Sequence, residues 1–276
     1  FKSYKKIPQY SLMNNNMTLE QFKIIFLWEY AHRLIARFIG LFFIIPFMFF
    51  IFFNLLKKKL IIELSCVFIL ILTQGTIGWY MVVSGLTENT SVSHYRLSIH
   101  LVVAFSILTS LIWILLNSVN QTSKKFFQSS IGNFSLQILL TLIFFQIILG
   151  AFVSGLDAGK IFQTWPLMNG NYFPDDISKN KFFNFNEPSF VQFIHRNMAY
   201  LIFFISIYVG FNIYKKKELK LFSKYKLFFF TIMAQILLGV FVLISGLNIF
   251  LASMHQISSI FLVLTAINLY YSSIST

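Results

Sequence analysis

Seven long apolar stretches constrain the fold of this chain more than any other feature of its sequence. Crossing a bilayer core takes about 20 helical residues, and inside lipid a helix is the form that pairs every backbone polar group within one segment. Hydrophobic residues make up 57% of the 276 positions and charged residues only 11%, too few to cover a soluble fold. We therefore predict an all-α polytopic membrane protein with transmembrane helices over residues 24–56, 61–86, 97–119, 131–156, 190–214, 221–246 and 248–272. A tight turn at 245–248 is predicted between the last two.

The positions of the lysines account for the net charge of +13 and predict an orientation. Loops rich in lysine, at Lys57–Lys59, Lys124–Lys125 and 215–226, alternate with the more acidic loop 156–189. The positive-inside rule places the lysine loops in the cytoplasm or matrix, so lipid is the expected surrounding and nucleic acid is not a partner. The protein is expected in a bacterial plasma membrane or a mitochondrial inner membrane. The single cysteine, Cys66, excludes an intrachain disulfide.

An ordered set of residues occurs twice along the chain. The matched residues are His32-Arg33 and His195-Arg196, then Gln74-x3-Gly78-x5-Ser84-Gly85 and Gln235-x3-Gly239-x5-Ser245-Gly246, then His100 and His255. The fourth span carries a related Gln146-x3-Gly150 motif, which has no counterpart in the first half. We predict two pseudo-symmetric four-helix units, 1–120 and 121–276, with eight helices in the intact protein and the first one absent here. Close helix packing is the alternative explanation of the glycines.

Four of the five histidines are related by this repeat and are predicted to lie near the outer boundary of the membrane. His32, His100, His195 and His255 are roughly 25–37 Å from the inner ends of their spans at 1.5 Å per residue, against a core of roughly 30 Å. Two histidine pairs at matched depth suit two flat ligands between facing helices, as in bis-histidine heme ligation. A hydrogen-bonding or interfacial role is the alternative. His94 has no repeat partner and is predicted to be solvated.

The charged neighbours of these histidines sharpen the hypothesis. All four arginines of the chain lie near the histidines and suit heme propionates, with interfacial snorkelling as the alternative: Arg33, Arg37, Arg96 and Arg196. Glu29 lies three residues before His32, whereas the matching position before His195 is Gln192, which cannot ionise. This asymmetry indicates one site for chemistry, with Glu29 as its catalytic residue, and one for a resident cofactor. An ion pair between Glu29 and Arg33 is the alternative.

Several motifs, spread over essentially the whole chain, resemble those of the heme A synthase family of mitochondria and alpha-proteobacteria. They are Glu29-Tyr30-Ala31-His32-Arg33, Gln74 to Gly85, Val92 to Leu101, Gly155-Leu156-Asp157-Ala158-Gly159, Thr164 to Gly170 and His255-Gln256. The resemblance implies an eight-helix enzyme that oxidises the C8 methyl of heme O to the formyl of heme A, for cytochrome c oxidase. The oxygen comes from water.

The resemblance also implies roles for individual residues and partners. His32 and His100 match the ligands of the substrate heme O, His195 and His255 match those of a heme b, and Glu29 matches the acidic residue beside the reacting methyl. Heme O synthase is the expected source of substrate, homo-oligomers are possible, and the electron acceptor is not indicated. The chain departs from the family in lacking the first helix and the cysteine pair of the outer loop, and in having Ala36 where many relatives have Gly.

Two other functions fit parts of the pattern. A bis-histidine diheme cytochrome would pass electrons without modifying either heme, and would have no need of the asymmetry between Glu29 and Gln192. A secondary transporter with parallel repeats could use the histidines as a proton relay, but transporters place polar residues at the bilayer midplane rather than at one edge.

Overall fold

The computed structural model describes residues 1–85, 91–127, 134–176 and 183–274. Within these residues, seven helices are long and apolar enough to cross a membrane, which confirms the predicted all-α membrane fold. The helices are α1 (Pro8–Met13), which is short, and then α2 (Leu19–Phe52), α3 (Lys58–Gly85), α4 (His94–Val119), α5 (Phe134–Gly155), α6 (Pro188–Lys215), α7 (Leu219–Ile244) and α8 (Ile249–Ser273). The sequence pattern gave no sign of α1, which contains too few residues for an apolar period.

The ends of α2 differ from the prediction because local hydrogen bonds, and not hydrophobicity, set them. The helix begins at Leu19, where Thr18 and Gln21 form a capping box: the Thr18 side chain accepts from the Gln21 amide at 3.3 Å, and the Gln21 side chain accepts from the Thr18 amide at 2.9 Å. It ends at Phe52, shortly before Asn54 adopts a φ of 53°. The predicted end of the second span at 86 and start of the fourth at 131 lie outside the described residues.

The predicted tight turn between the last two spans is confirmed. Helix α7 ends at Ile244, and the chain reverses through Gly246 and Leu247, with φ values of 68° and 64°. The Asn248 side chain then caps α8 by accepting hydrogen bonds from the amides of Phe250 at 3.0 Å and Leu251 at 3.3 Å.

The chain divides into two compact units, Phe1–Ile107 and Leu108–Thr276. In the second unit, α5 packs on α6 and α8, and α7 packs on α6 and α8. Apolar side chains from all four of these helices are fully buried there, among them Leu139, Ile143, Val209, Phe228, Val263 and Ile267. Lys124 closes one end of the unit by donating from Nζ to the carbonyls of Tyr271, at 3.2 Å, and Ile274. The predicted repeat boundary at 120/121 is a different kind of division and stays a prediction.

The contact between α6 and α7 depends on a glycine. A Cβ built on Gly210 would lie 2.0 Å from Cζ of the buried Tyr225. Because the tyrosine ring already lies against the helix backbone, we expect Gly210→Ala to destabilise the protein by about 1–3 kcal/mol. The measurement is thermal unfolding in detergent, with Gly75→Ala as the control because a Cβ there meets nothing within 4 Å. Equal melting temperatures for the two variants would contradict this prediction.

Candidate functional site

The four histidines of the sequence repeat form two pairs of neighbours, one pair in each unit. In the first unit, His32 on α2 and His100 on α4 lie close enough for charges on their imidazoles to interact. In the second unit, His195 on α6 and His255 on α8 are related in the same way. Each unit therefore brings together the two histidines that the sequence assigned to one ligand. A common depth for all four stays a prediction.

A glycine on the preceding helix makes room for three of these histidine rings. A Cβ built on Gly78 would lie 2.9 Å from Cε1 of His100, and one built on Gly239 would lie 3.1 Å from Cε1 of His255. Both distances are shorter than ordinary contacts of a real Cβ, so the ring needs a glycine or must move. The matching distance from Gly150 to His195 is 3.4 Å, which is a looser contact.

A glutamine one turn before each glycine contacts the same three histidines. The carboxamide nitrogen of Gln74 lies 3.2 Å from Nε2 of His100, and that of Gln146 lies 3.4 Å from Nε2 of His195. The carboxamide of Gln235 instead donates to the main-chain carbonyl of His255 at 2.9 Å. On each of α3, α5 and α7, the glutamine and glycine of the Gln-x3-Gly motif therefore form a surface that faces a histidine of the next helix. We call each such surface a histidine cradle.

The buried nitrogens in these cradles fit a heme iron. Nδ1 of His100, His195 and His255 is buried and has no hydrogen-bond partner among the described residues. Leaving a buried polar atom unpaired costs about 1–3 kcal/mol, so each of these rings has a polar atom that the described residues do not satisfy. A neutral imidazole has one N–H and one nitrogen lone pair, and the lone pair is what heme iron takes. His32 differs, since its side chain lies on an exposed part of α2. Three of the four predicted ligands thus present an unpaired nitrogen inside the protein.

His94 differs from its prediction. It was expected to be solvated, but its side chain is buried and its ring centroid lies 4.1 Å from that of Tyr95. His94 is the first residue of α4, and its burial includes the neighbouring Tyr95 ring.

Glu29 and its counterpart Gln192 have different surroundings. Glu29 is exposed and lies 3.4 Å from NH1 of Arg33, the ion pair named above as the alternative. An exposed pair of this kind contributes about 0–1 kcal/mol, so it leaves the carboxylate available for other interactions. Gln192 is buried and donates to the carbonyl of Phe162 at 2.8 Å. The catalytic role of Glu29 stays a prediction.

Arg196 anchors the loop that follows α5. Its guanidinium is buried and donates to the carbonyls of Phe162 and Thr164, both at 2.9 Å. Tyr200, one turn further along α6, accepts a hydrogen bond from the indole of Trp165 at 3.0 Å. Sequence reasoning missed this anchoring, although polar residues four positions apart on an apolar helix are a signal for it.

The remaining arginines have other neighbours. The Arg96 guanidinium lies 5.0 Å from the ring centroid of Tyr80, a cation–π contact between α4 and α3. Arg33 pairs with Glu29, and Arg37 is exposed on α2. Propionate binding by the four arginines stays a prediction, and in Arg196 two donor groups are already bonded to the loop.

The chain is similar to known proteins over most of its length. The model of the COX15-CtaA family, described as cytochrome oxidase assembly protein, matches residues 1–267. A heme A synthase of Pelagibacter ubique is 49% identical over 266 residues, covering 94% of this chain and 77% of the relative. A heme A synthase of Rickettsia bellii is 39% identical and covers 98% of this chain and 82% of its own length. One from Bartonella quintana is 38% identical, with 93% and 73% covered.

Proposed function

The chain belongs to the family of cytochrome oxidase assembly proteins, and from this we infer that it acts as a heme A synthase. It is an integral membrane oxidoreductase that oxidises the C8 methyl group of heme O to a formyl group. The observation that carries this function is the 49% identity, over 94% of the chain, to a heme A synthase. The paired histidines also support it, because bis-histidine heme ligation takes one imidazole from each side.

The two histidine pairs divide the work between substrate and cofactor in this proposal. His32 and His100 hold heme O, and His195 and His255 hold heme b. His100, His195 and His255 each have a buried ring nitrogen without a partner among the described residues, which supports a bound group beside these rings. When bound, heme b supplies a one-electron carrier inside the protein. The repeat units 1–120 and 121–276 then correspond to the substrate side and the cofactor side.

Glu29 is the proposed catalytic residue of the substrate side. It lies one helical turn before His32, and residues three apart share a helix face. Its carboxylate is exposed and only weakly paired with Arg33, so it is free to accept a proton that leaves the methyl group as water supplies the oxygen. Gln192 cannot accept a proton and is already bonded to the loop, which suits a side where no chemistry occurs.

The orientation and the partners complete the proposal. The lysine loops face the cytoplasm or matrix, and the ends of the helices that carry the histidines face the periplasm or intermembrane space. Heme O synthase supplies the substrate, and the electrons pass to an acceptor outside this chain. The arginines near the histidines bind propionates, with Arg96 the best placed on α4 because it precedes His100 by one turn.

The function is tested by identifying the hemes that the protein carries. The full-length protein, produced in a host that makes heme O, is purified in detergent, and its hemes are extracted with acid and separated by chromatography. We expect heme b together with heme A or heme O. Heme b alone, at two per chain, would instead support an electron-transferring cytochrome, and an absence of heme would contradict both functions.

A further inference from the structure

The three histidine cradles use their glutamines in two different ways. We propose that Gln146 and Gln235 are positioning residues that fix the backbone of the two cofactor histidines, whereas Gln74, among the described residues, bonds to the ring of His100 and adds no bond to its backbone. The inference rests on the proposed function in one respect, that His195 and His255 ligate heme b. It adds a difference in how firmly the histidine main chain is held between the heme b site, which keeps its heme, and the heme O site, which exchanges it.

In the second unit, each glutamine bonds to the main chain of a histidine on the next helix. Gln146 on α5 donates to the carbonyl of His195 on α6 at 3.1 Å. Gln235 on α7 donates to the carbonyl of His255 on α8 at 2.9 Å. Ser258 holds the other end of the second carboxamide by donating to Gln235 Oε1. Both bonds cross between neighbouring helices of the second unit.

In the described part of the first unit, the carboxamide of Gln74 hydrogen-bonds only to the ring of His100. Its nitrogen lies 3.2 Å from Nε2, and its oxygen is buried without a partner among the described residues. A carboxamide held by nothing else can follow the imidazole when the ring turns. The hydrogen bond therefore acts on the side chain of His100 and adds nothing to the hold that α4 itself has on its main chain.

This difference suits the chemistry of the two sites. The orientation of a ligand ring depends on the position of its Cα and on two side-chain torsions. A hydrogen bond to the carbonyl of the same residue restricts movement of the Cα, which the two torsions do not control. A resident cofactor must stay bound through many reaction cycles, and a fixed backbone favours that. A substrate must be released as product in every cycle, and a ligand whose main chain has no such additional bond favours release.

The test measures the rate at which heme b leaves the purified protein for an excess of a heme-scavenging apoprotein. Gln146→Leu and Gln235→Leu should raise this rate about 10-fold or more and shift the electron paramagnetic resonance g values of the low-spin heme. Gln146→Glu should act in the same way, because a carboxylate has the size of the carboxamide but cannot donate to a carbonyl. Gln74→Leu should leave the release of heme b unchanged.

Gln137→Leu is the matched control. Gln137 also lies on α5 and donates a hydrogen bond, to the Tyr270 hydroxyl at 2.8 Å, but it bonds to no histidine. Its loss removes an equivalent bond between helices, so it should leave heme release and the g values unchanged. If Gln137→Leu speeds release as much as Gln146→Leu, the effect is general helix packing and the inference is wrong.

The result separates this inference from the proposed function. If His195→Ala loses heme b while the three variants at Gln146 and Gln235 release it at the wild-type rate with unchanged g values, the inference fails and the ligand assignment stands. If His195→Ala keeps heme b, the ligand assignment itself fails. Gln146→Glu decides the case if a leucine variant does not fold.

Discussion

Replacement of His195 or His255 by alanine will abolish stable binding of heme b. The two rings are neighbours in the second unit, and each has a buried nitrogen with no partner in the described part of the chain. Removing one ring would remove one of the two imidazoles that would hold the heme, and it would leave a space beside Gly150 or Gly239, which have no side chain to fill it. Bis-histidine ligation then cannot form.

The measurement is the amount of heme b per purified chain, from the absorption spectrum of the pyridine complex. We expect less than about a tenth of the wild-type content, in line with the 10-fold or larger losses typical of changes even outside the first ligand layer. His94→Ala is the control, because His94 is the one histidine without a repeat partner. Wild-type heme b content in either His195→Ala or His255→Ala would sink the assignment.

Replacement of Glu29 by glutamine will stop the formation of heme A without preventing the binding of heme O. The change keeps the size of the side chain and removes its ability to accept a proton. A positioned general base typically contributes about 10²–10⁴-fold to a rate, so conversion should fall by at least about 100-fold. The exposed pair with Arg33 contributes about 0–1 kcal/mol, so its loss leaves the stability of the folded protein nearly unchanged.

The measurement is the ratio of heme A to heme O in acid extracts of the purified variant. Glu20→Gln is the matched control, because Glu20 is also on α2 and forms an exposed pair of the same kind, with Lys23 at 2.7 Å. The control should make heme A at the wild-type rate. Glu29 has no catalytic role if Glu29→Gln binds heme O and converts it at an unchanged rate.

Much of the fold follows from local sequence patterns. The apolar stretches predicted the seven spans, and the turn between α7 and α8 followed from Ser245 to Asn248. The errors at the ends of α2 arose because hydropathy changes gradually along a helix, whereas the capping box at Thr18 fixes its first residue. Burial of His94 could not be predicted, because it depends on what packs over the start of α4.

The sequence predicted which histidines are neighbours at the candidate site, but it did not predict which atoms the surrounding side chains contact. The repeat identified which histidines form pairs, and their neighbouring positions within each unit agree with it. It also identified the Gln-x3-Gly motifs, but close helix packing explained their glycines equally well. The anchoring of the 162–164 segment by Arg196 was missed, because a guanidinium suits a backbone carbonyl as well as a propionate.

The helical membrane fold and the repeated order of the histidines follow from the amino-acid sequence, because apolar length and residue order are properties of the chain alone. The atoms that each motif contacts depend on how the helices pack. Gln146 and Gln235 bond to histidine carbonyls while Gln74 reaches only a ring, although all three motifs share the same spacing. Spacing along one helix fixes which residues share a face, but the rotation and height of the next helix determine which atom that face meets.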